Sequence, residues 1–268
     1  MKRNRTLFIV IACFVIYFIV FNAVQGKADT ILRVLLIILI IALVIVAILL
    51  IIGRKTILRR LRLNKIINTK DLDSKIRQLE NMLPKGDAQI PLDMANYYSM
   101  AYFEKGDYEK ALELIHKEAE RLIEAKLFNP EKLSFTQDLY KINEVSCLIE
   151  LDRVDEAVSL LETFDEGAYD DKSYILLGIK EKKAQLAAHN GETALARDTL
   201  LAAKEISAHT SNDKQSRDKW AFLLIEATCD YHERDEQAAL SKAESVISNC
   251  EWGPTVRRAR KLKDRINA

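Results

Sequence analysis

Glycine occurs only 8 times and proline 4 times in 268 residues, and β-branched runs are few after residue 53. Strands therefore have little support, while the helix formers Ala, Leu, Glu and Lys dominate. The few glycines form no Gly-x-Gly or Gly-Lys-Ser/Thr element, so a backbone cradle for phosphate is not expected. A Gly-x-Ser-x-Gly elbow, a His-Glu-x-x-His helix and a kinase signature are missing too, and the chain reads as a non-enzyme. Cysteine is scarce: Cys13, Cys147, Cys229 and Cys250 include no close pair. That excludes a disulfide framework and favours small buried thiols in a reducing compartment. His116, His189, His209 and His232 fall in no ligand spacing, so neither metal nor cofactor is expected. The carboxylates Glu162, Asp165, Glu166, Asp170 and Asp171 lack calcium-loop spacing and read as a solvated connection.

An excess of one charge is also missing overall, with 40 basic against 39 acidic side chains. The balance hides a segregation. Seven basic residues stand between 54 and 70 with no acidic one, whereas residues 71–268 hold 28 basic and 38 acidic. An acidic body repels phosphate backbones, so a nucleic-acid partner is not expected.

What is present in abundance is apolar length. Residues 7–24 and 34–53 are two runs without an ionised side chain, joined by a short polar connection. Each suffices for a helix across the ~30 Å hydrocarbon layer, where the backbone must satisfy itself. Residues 34–53 are apolar all round, unlike the stripe of a soluble helix. A cleaved signal peptide would want an Ala-x-Ala-like site near residues 22–26, and none stands there. Lys2, Arg3 and Arg5 precede the first run, and Arg54, Lys55, Arg59, Arg60, Arg62 and Lys65 follow the second. Basic flanks stay inside, so both termini and the bulk of the chain are expected in the cytoplasm of a cell-membrane protein with two spans. The same six basic residues, 54–65, are candidates to touch anionic lipid headgroups, at ~1 kcal/mol each.

Residues 71–268 read as all-α. Leu72, Ile76, Leu79 and Leu83 mark a first helix over residues 71–82, closed by Pro84 and Gly86. Next comes Tyr102-x-x-x-Gly106-x-Tyr108-x-x-Ala111, where Gly106 permits a chain reversal and Ala111 a close helix approach. Ala157 and Ala196 close two later segments of similar pattern, one with Asp152 and one with Gly191 at the turn. A fourth pair of helices, residues 220–233 and 236–250, has the periodicity and Ala239 but no turn signal. The successive Ala positions lie 46, 39 and 43 residues apart.

The turn around Gly106 resembles that of the tetratricopeptide-repeat family, whose units are antiparallel helix pairs ~34 residues long. Ala95 stands where the family has Trp, Ser99 takes a small position, and the late Pro is missing. The resemblance implies an α-solenoid over residues 92–250 with a concave groove lined by the first helix of each pair. Groove positions would be Asn96, Met100 and Phe103, then Ile142, Ser146 and Ile149, then Glu181, Gln185 and His189. The implied function is a membrane-anchored scaffold that binds a protein or peptide at the cytoplasmic face. The alternative is a structural membrane subunit whose spans do the binding beneath a helical cap. Residues 254–268 read as a last helix, with Val256, Ala259, Leu262 and Ile266 in one stripe and six basic side chains around the rest. It either caps the stack or docks on a membrane or an acidic surface.

Overall fold

A computed structural model describes residues 58, 61–69, 71–82, 92–124, 130–170, 173–209 and 212–268. The chain divides into two compact units, residues 1–65 and 66–268. In the first, the described residues 58 and 61–65 are helical, and Arg62 and Lys65 are exposed. Both apolar runs, and with them Arg54, Lys55, Arg59 and Arg60, lie outside the described residues. Among the described residues no helix is long and apolar enough to cross a membrane.

The second unit is all-α, with no strand among its described residues. Its helices are α1 (Leu72–Met82), α2 (Leu92–Lys105), α3 (Tyr108–Glu124), α4 (Pro130–Glu150), α5 (Val154–Glu162), α6 (Tyr174–His189), α7 (Thr193–Ala208), α8 (Asn212–His232), α9 (Glu236–Asn249) and α10 (Gly253–Ile266), with a 3-10 turn at Glu166–Ala168. Four hairpins follow one another: α2 with α3, α4 with α5, α6 with α7, and α8 with α9.

Each hairpin reverses through one residue in the left-handed region: Gly106 (φ 94°), Asp152 (φ 60°), Gly191 (φ 78°) and Arg234 (φ 65°). The residue after it donates its N–H five positions back, from Asp107 to Tyr102 O, Arg153 to Leu148 O, Glu192 to Ala187 O and Asp235 to Asp230 O, at 2.8–3.0 Å. This long-range bond is the mark of a Schellman ending, and it satisfies a carbonyl that the helix terminus would leave open. Five positions past each reversal stands Ala111, Ala157, Ala196 or Ala239, and each is fully buried. A larger side chain there would hold the two helices apart. The reversal sites repeat at the spacing of these alanines, so four copies of one structural unit are present. Sequence periodicity alone starts α8 near residue 220 and finds no reversal residue, whereas α8 begins at Asn212 and turns at Arg234. Arginine has no preference for positive φ, so its residue type carries no signal.

The hairpins stack through their first helices: α2 on α4, α4 on α6, α6 on α8. Gly178 in mid-α6 shows how closely, since a Cβ there would meet Ile142 Cδ1 of α4 at 3.0 Å. One core joins Phe103, Ile115, Val145, Leu161 and Ile179; a second joins Leu177, Leu200, Phe222 and Cys229; a third joins Leu224, Val246 and Leu262. Cys147 and Cys229 are buried and free, and burial pushes the Cys147 thiol up to about 12.

Two outcomes follow from the repeated turn. Gly191→Ala is expected to lower stability by about 1–2 kcal/mol through left-handed strain, with His232 Nδ1 3.3 Å from the new methyl, while Arg234→Gly at the exposed equivalent position leaves stability unchanged or raises it by up to about 1 kcal/mol. Thermal melts of the purified chain read both. Ala196→Leu is expected to cost about 1–3 kcal/mol by overpacking in the same melts.

Candidate cleft between the inner helices

Because the first helices of the hairpins stack on one another, clefts lie along their inner faces, three of them bordered by these helices. The largest, about 820 Å³, takes Asn96 and Met100 from α2, Leu139 and Asn143 from α4, Tyr174 from α6 and Trp220 from α8. A second, about 230 Å³, is lined by Met100, Phe103, Ile142, Ser146 and Glu181, and shares Met100, Leu139, Asn143, Tyr174 and Trp252 with the first. A third, about 360 Å³, has Ile149, Gln185 and His189 on its wall. The nine positions expected along a groove thus border these clefts. They do so unequally: Phe103 and Ile142 are 6% and 7% exposed and belong to the core, while Asn96, Ser146 and Gln185 stay accessible.

Polar groups inside are ordered by their neighbours. Asn143 Nδ2 donates to Asn96 Oδ1 at 2.9 Å, tying α4 to α2. Lys75 of α1 pairs with Glu104 at 2.6 Å. Glu181 takes a hydrogen bond from Lys182 at 2.7 Å. Burial works to raise the Glu181 carboxyl, but Lys182 and, further off, Arg258 outweigh it and hold it below its ordinary value. His189 Nε2 lies 3.5 Å from Asp152 Oδ1. Tyr97 and Tyr174 keep 39% and 42% of their surface exposed beside the largest cleft.

A groove open along one side was the expectation for a stack of hairpins. Instead α10 packs on α8 and α9 and also returns to α2, so the five inner helices close on themselves. Trp252, just before α10, packs against the core built by α2 to α6. Arg257 Nη1 and Nη2 donate to Glu104 O at 2.8 Å and Phe103 O at 3.0 Å, and Nε donates to Tyr108 Oη at 3.3 Å. A guanidinium at the last turn of a helix meets the negative end of the helix dipole and adds a donor to carbonyls at the terminus, of which Phe103 O also accepts from Gly106 N at 3.1 Å. Arg258 Nε lies 3.0 Å from Glu150 Oε1, on a carboxylate only 3% exposed. The stripe of α10 does act as a cap, with Ala259 and Leu262 buried against Leu224, Ala227, Ala243 and Val246. Arg257 and Arg258, read from sequence as part of a solvated face, point into the protein. Four aromatic side chains at the largest cleft, Tyr97, Tyr174, Trp220 and Trp252, are likewise outside the sequence reading; Tyr97 stands one position off the inner stripe of α2, and Tyr174 extends the stripe of Glu181, Gln185 and His189 by two turns.

Among the described residues no three His, Cys, Asp or Glu side chains are grouped to hold a metal ion. Glu166 of the acidic connection pairs with Lys180 and Lys183, both at 2.5 Å, so it is tied to α6 rather than solvated. The clefts present aromatic faces, the amides of Asn96, Asn143 and Gln185, and a few charges.

The lowered Glu181 carboxyl implies a sign. A group whose folded pKa lies below its ordinary 4.5 adds stability that is full above that value and lost as pH falls through the folded one. Between about pH 5 and pH 3, Glu181→Gln is therefore expected to lose melting temperature less steeply than the native chain, as followed by circular dichroism. Equal slopes would mean that Glu181 does not contribute. No protein family, no curated protein and no solved structure matches this chain.

Proposed function

We propose that this protein is a membrane-tethered scaffold of tetratricopeptide-like helix pairs that holds a protein or peptide partner in its inner clefts. The observation that carries the reading is convergence: inner helices from separate hairpins border neighbouring clefts with Asn96, Met100, Asn143, Ser146 and two exposed tyrosines, and a further one with Gln185. Rigid aromatic surface with adaptable amides beside it is what protein interfaces are rich in. The apolar runs at 7–24 and 34–53 support a two-span hairpin as the tether, and the basic flanks support a cytoplasmic body. Arg62 and Lys65 are exposed, as a contact with anionic headgroups would need.

The test uses a photo-crosslinking residue placed at one position at a time in the full chain, in its own cells. Positions 97 and 174 are expected to capture the same partner, and Asn143→Arg to abolish the capture. Positions 195 and 201 are exposed on α7 and border none of the three clefts, so they are expected to capture nothing. Equal capture from α7 would sink the cleft as the binding surface. Alkaline carbonate washing is expected to leave the chain in the membrane pellet, and release would remove the tether.

A further inference from the structure

α10 makes two kinds of contact, and only one is needed to end a stack of helices. Its stripe, Ala259 and Leu262 with Ile266 beside them, covers the apolar surface of α8 and α9. That alone closes the core. The arginine contacts reach further, those of Arg257 to groups 149 to 154 residues earlier in the chain. Arg257 takes two carbonyls at the end of α2 and stacks near Tyr108, its guanidinium carbon 5.8 Å from the ring centroid. Arg258 forms an ion pair with Glu150 of α4, its Nε 3.0 Å from Oε1 without hydrogen-bond geometry, and adds to the field on Glu181 of α6.

The acceptors therefore form a negative floor contributed by two different inner helices, α2 and α4. Among the described residues Glu150 has no other ion pair within 4.0 Å, and the carbonyls of Phe103 and Glu104 end a helix. Such a floor is complementary to adjacent arginines and to little else: a lysine could not reach two carbonyls and a tyrosine at once, because only the planar guanidinium offers a fork of donors. The other basic side chains of α10 do not share this placement. Arg260, Lys261 and Arg265 are exposed, and Lys263 pairs with Glu244 on α9 at 2.7 Å.

We propose that Arg257 and Arg258 of α10 hold, in cis, acceptors on the cleft walls that a partner uses in trans, and that the partner is a basic segment carrying two adjacent arginines. That segment displaces Arg257 and Arg258 from Phe103 O, Glu104 O and Glu150 and takes over the same acceptors. The proposal rests on the clefts being the binding surface, and it adds what the partner looks like and which contacts it must replace. Binding then requires a shape in which the C-terminal helix has let go of α2 and α4.

The experiment uses the full chain in detergent micelles and a fluorescent peptide with the sequence of residues 254–268. The native chain competes with itself, so the peptide binds it weakly. The double variant Arg257→Gln, Arg258→Gln keeps the apolar stripe but has empty acceptors, and is expected to bind the peptide at least about tenfold more tightly. The gain should vanish when Glu150→Gln is added, and when the peptide itself carries the two glutamines. Hydrogen exchange in α6 and α7 reports whether the variant has kept its fold. If it has not, the native chain at saturating peptide is read instead: exchange at residues 257–262 should rise with the native peptide and not with the substituted one. A folded double variant that binds no better than the native chain overturns the proposal. So does unchanged exchange in the native chain at saturation. Either result leaves crosslinking from positions 97 and 174 intact, whereas loss of that crosslinking removes the cleft itself.

Discussion

Everything in the helical unit depends on one steric constraint, the close approach of two helices just after the chain reverses. A residue at positive φ stops the first helix, its neighbour bonds back across the turn, and the second helix must then pass within touching distance. Alanine at the fifth position past the reversal allows that distance, and it is fully buried four times over. Spacing between the helices of a pair fixes where the next pair can lie. It also decides that the first helices stack on each other, which is why one side of the unit collects side chains from α2, α4, α6 and α8.

The parts of this fold legible in the sequence are those in which one residue type has no substitute. Gly106 and Gly191 announce positive φ, and the alanines announce contact. Asp152 is a weaker signal, because Asp tolerates the left-handed region better than most residues but often sits elsewhere. Arg234 is silent, since its turn is imposed by the helices on either side. Phe103 and Ile142 show a different limit. Their register places them on the inner face, as Met100 and Ser146 are placed, but register says nothing of depth, and the close approach at Gly178 seals Ile142 in. Closure by α10 was beyond reach for a third reason. An arginine that meets water and one that meets carbonyls 150 residues away occupy the same place in a helical pattern.

Two energies hold α10, and they act on different neighbours. Burying a Leu-sized side chain against α8 and α9 is worth about 1.5–3 kcal/mol, and it is insensitive to what α2 does. Hydrogen bonds from a charged donor contribute about 1.5–3 kcal/mol each when well shielded and less where water competes, as it does around these half-buried arginines. The first term holds α10 against α8 and α9. The second ties it to α2 and α4 by a few contacts that a competitor of the same chemistry can replace one for one. Separation of the two explains how one helix can be a cap and a removable clasp without the unit coming apart.

On the proposed reading, tethering sets the terms of that competition. Only residues 250–252 join α9 to α10, so the arginines face their acceptors at an effective concentration on the order of millimolar or above. A free segment at micromolar concentration with equal contacts would lose to α10 by the ratio of those concentrations, roughly a thousandfold. It can win in two ways: by making contacts α10 lacks, for which the aromatic rim of Tyr97, Tyr174, Trp220 and Trp252 offers surface, or by being concentrated at the same membrane. A two-span tether supplies the second. The same basic collar that would fix the orientation of the chain also confines its body to the layer where a membrane-bound partner is most abundant, so the clasp would yield at the membrane and hold against soluble basic segments elsewhere.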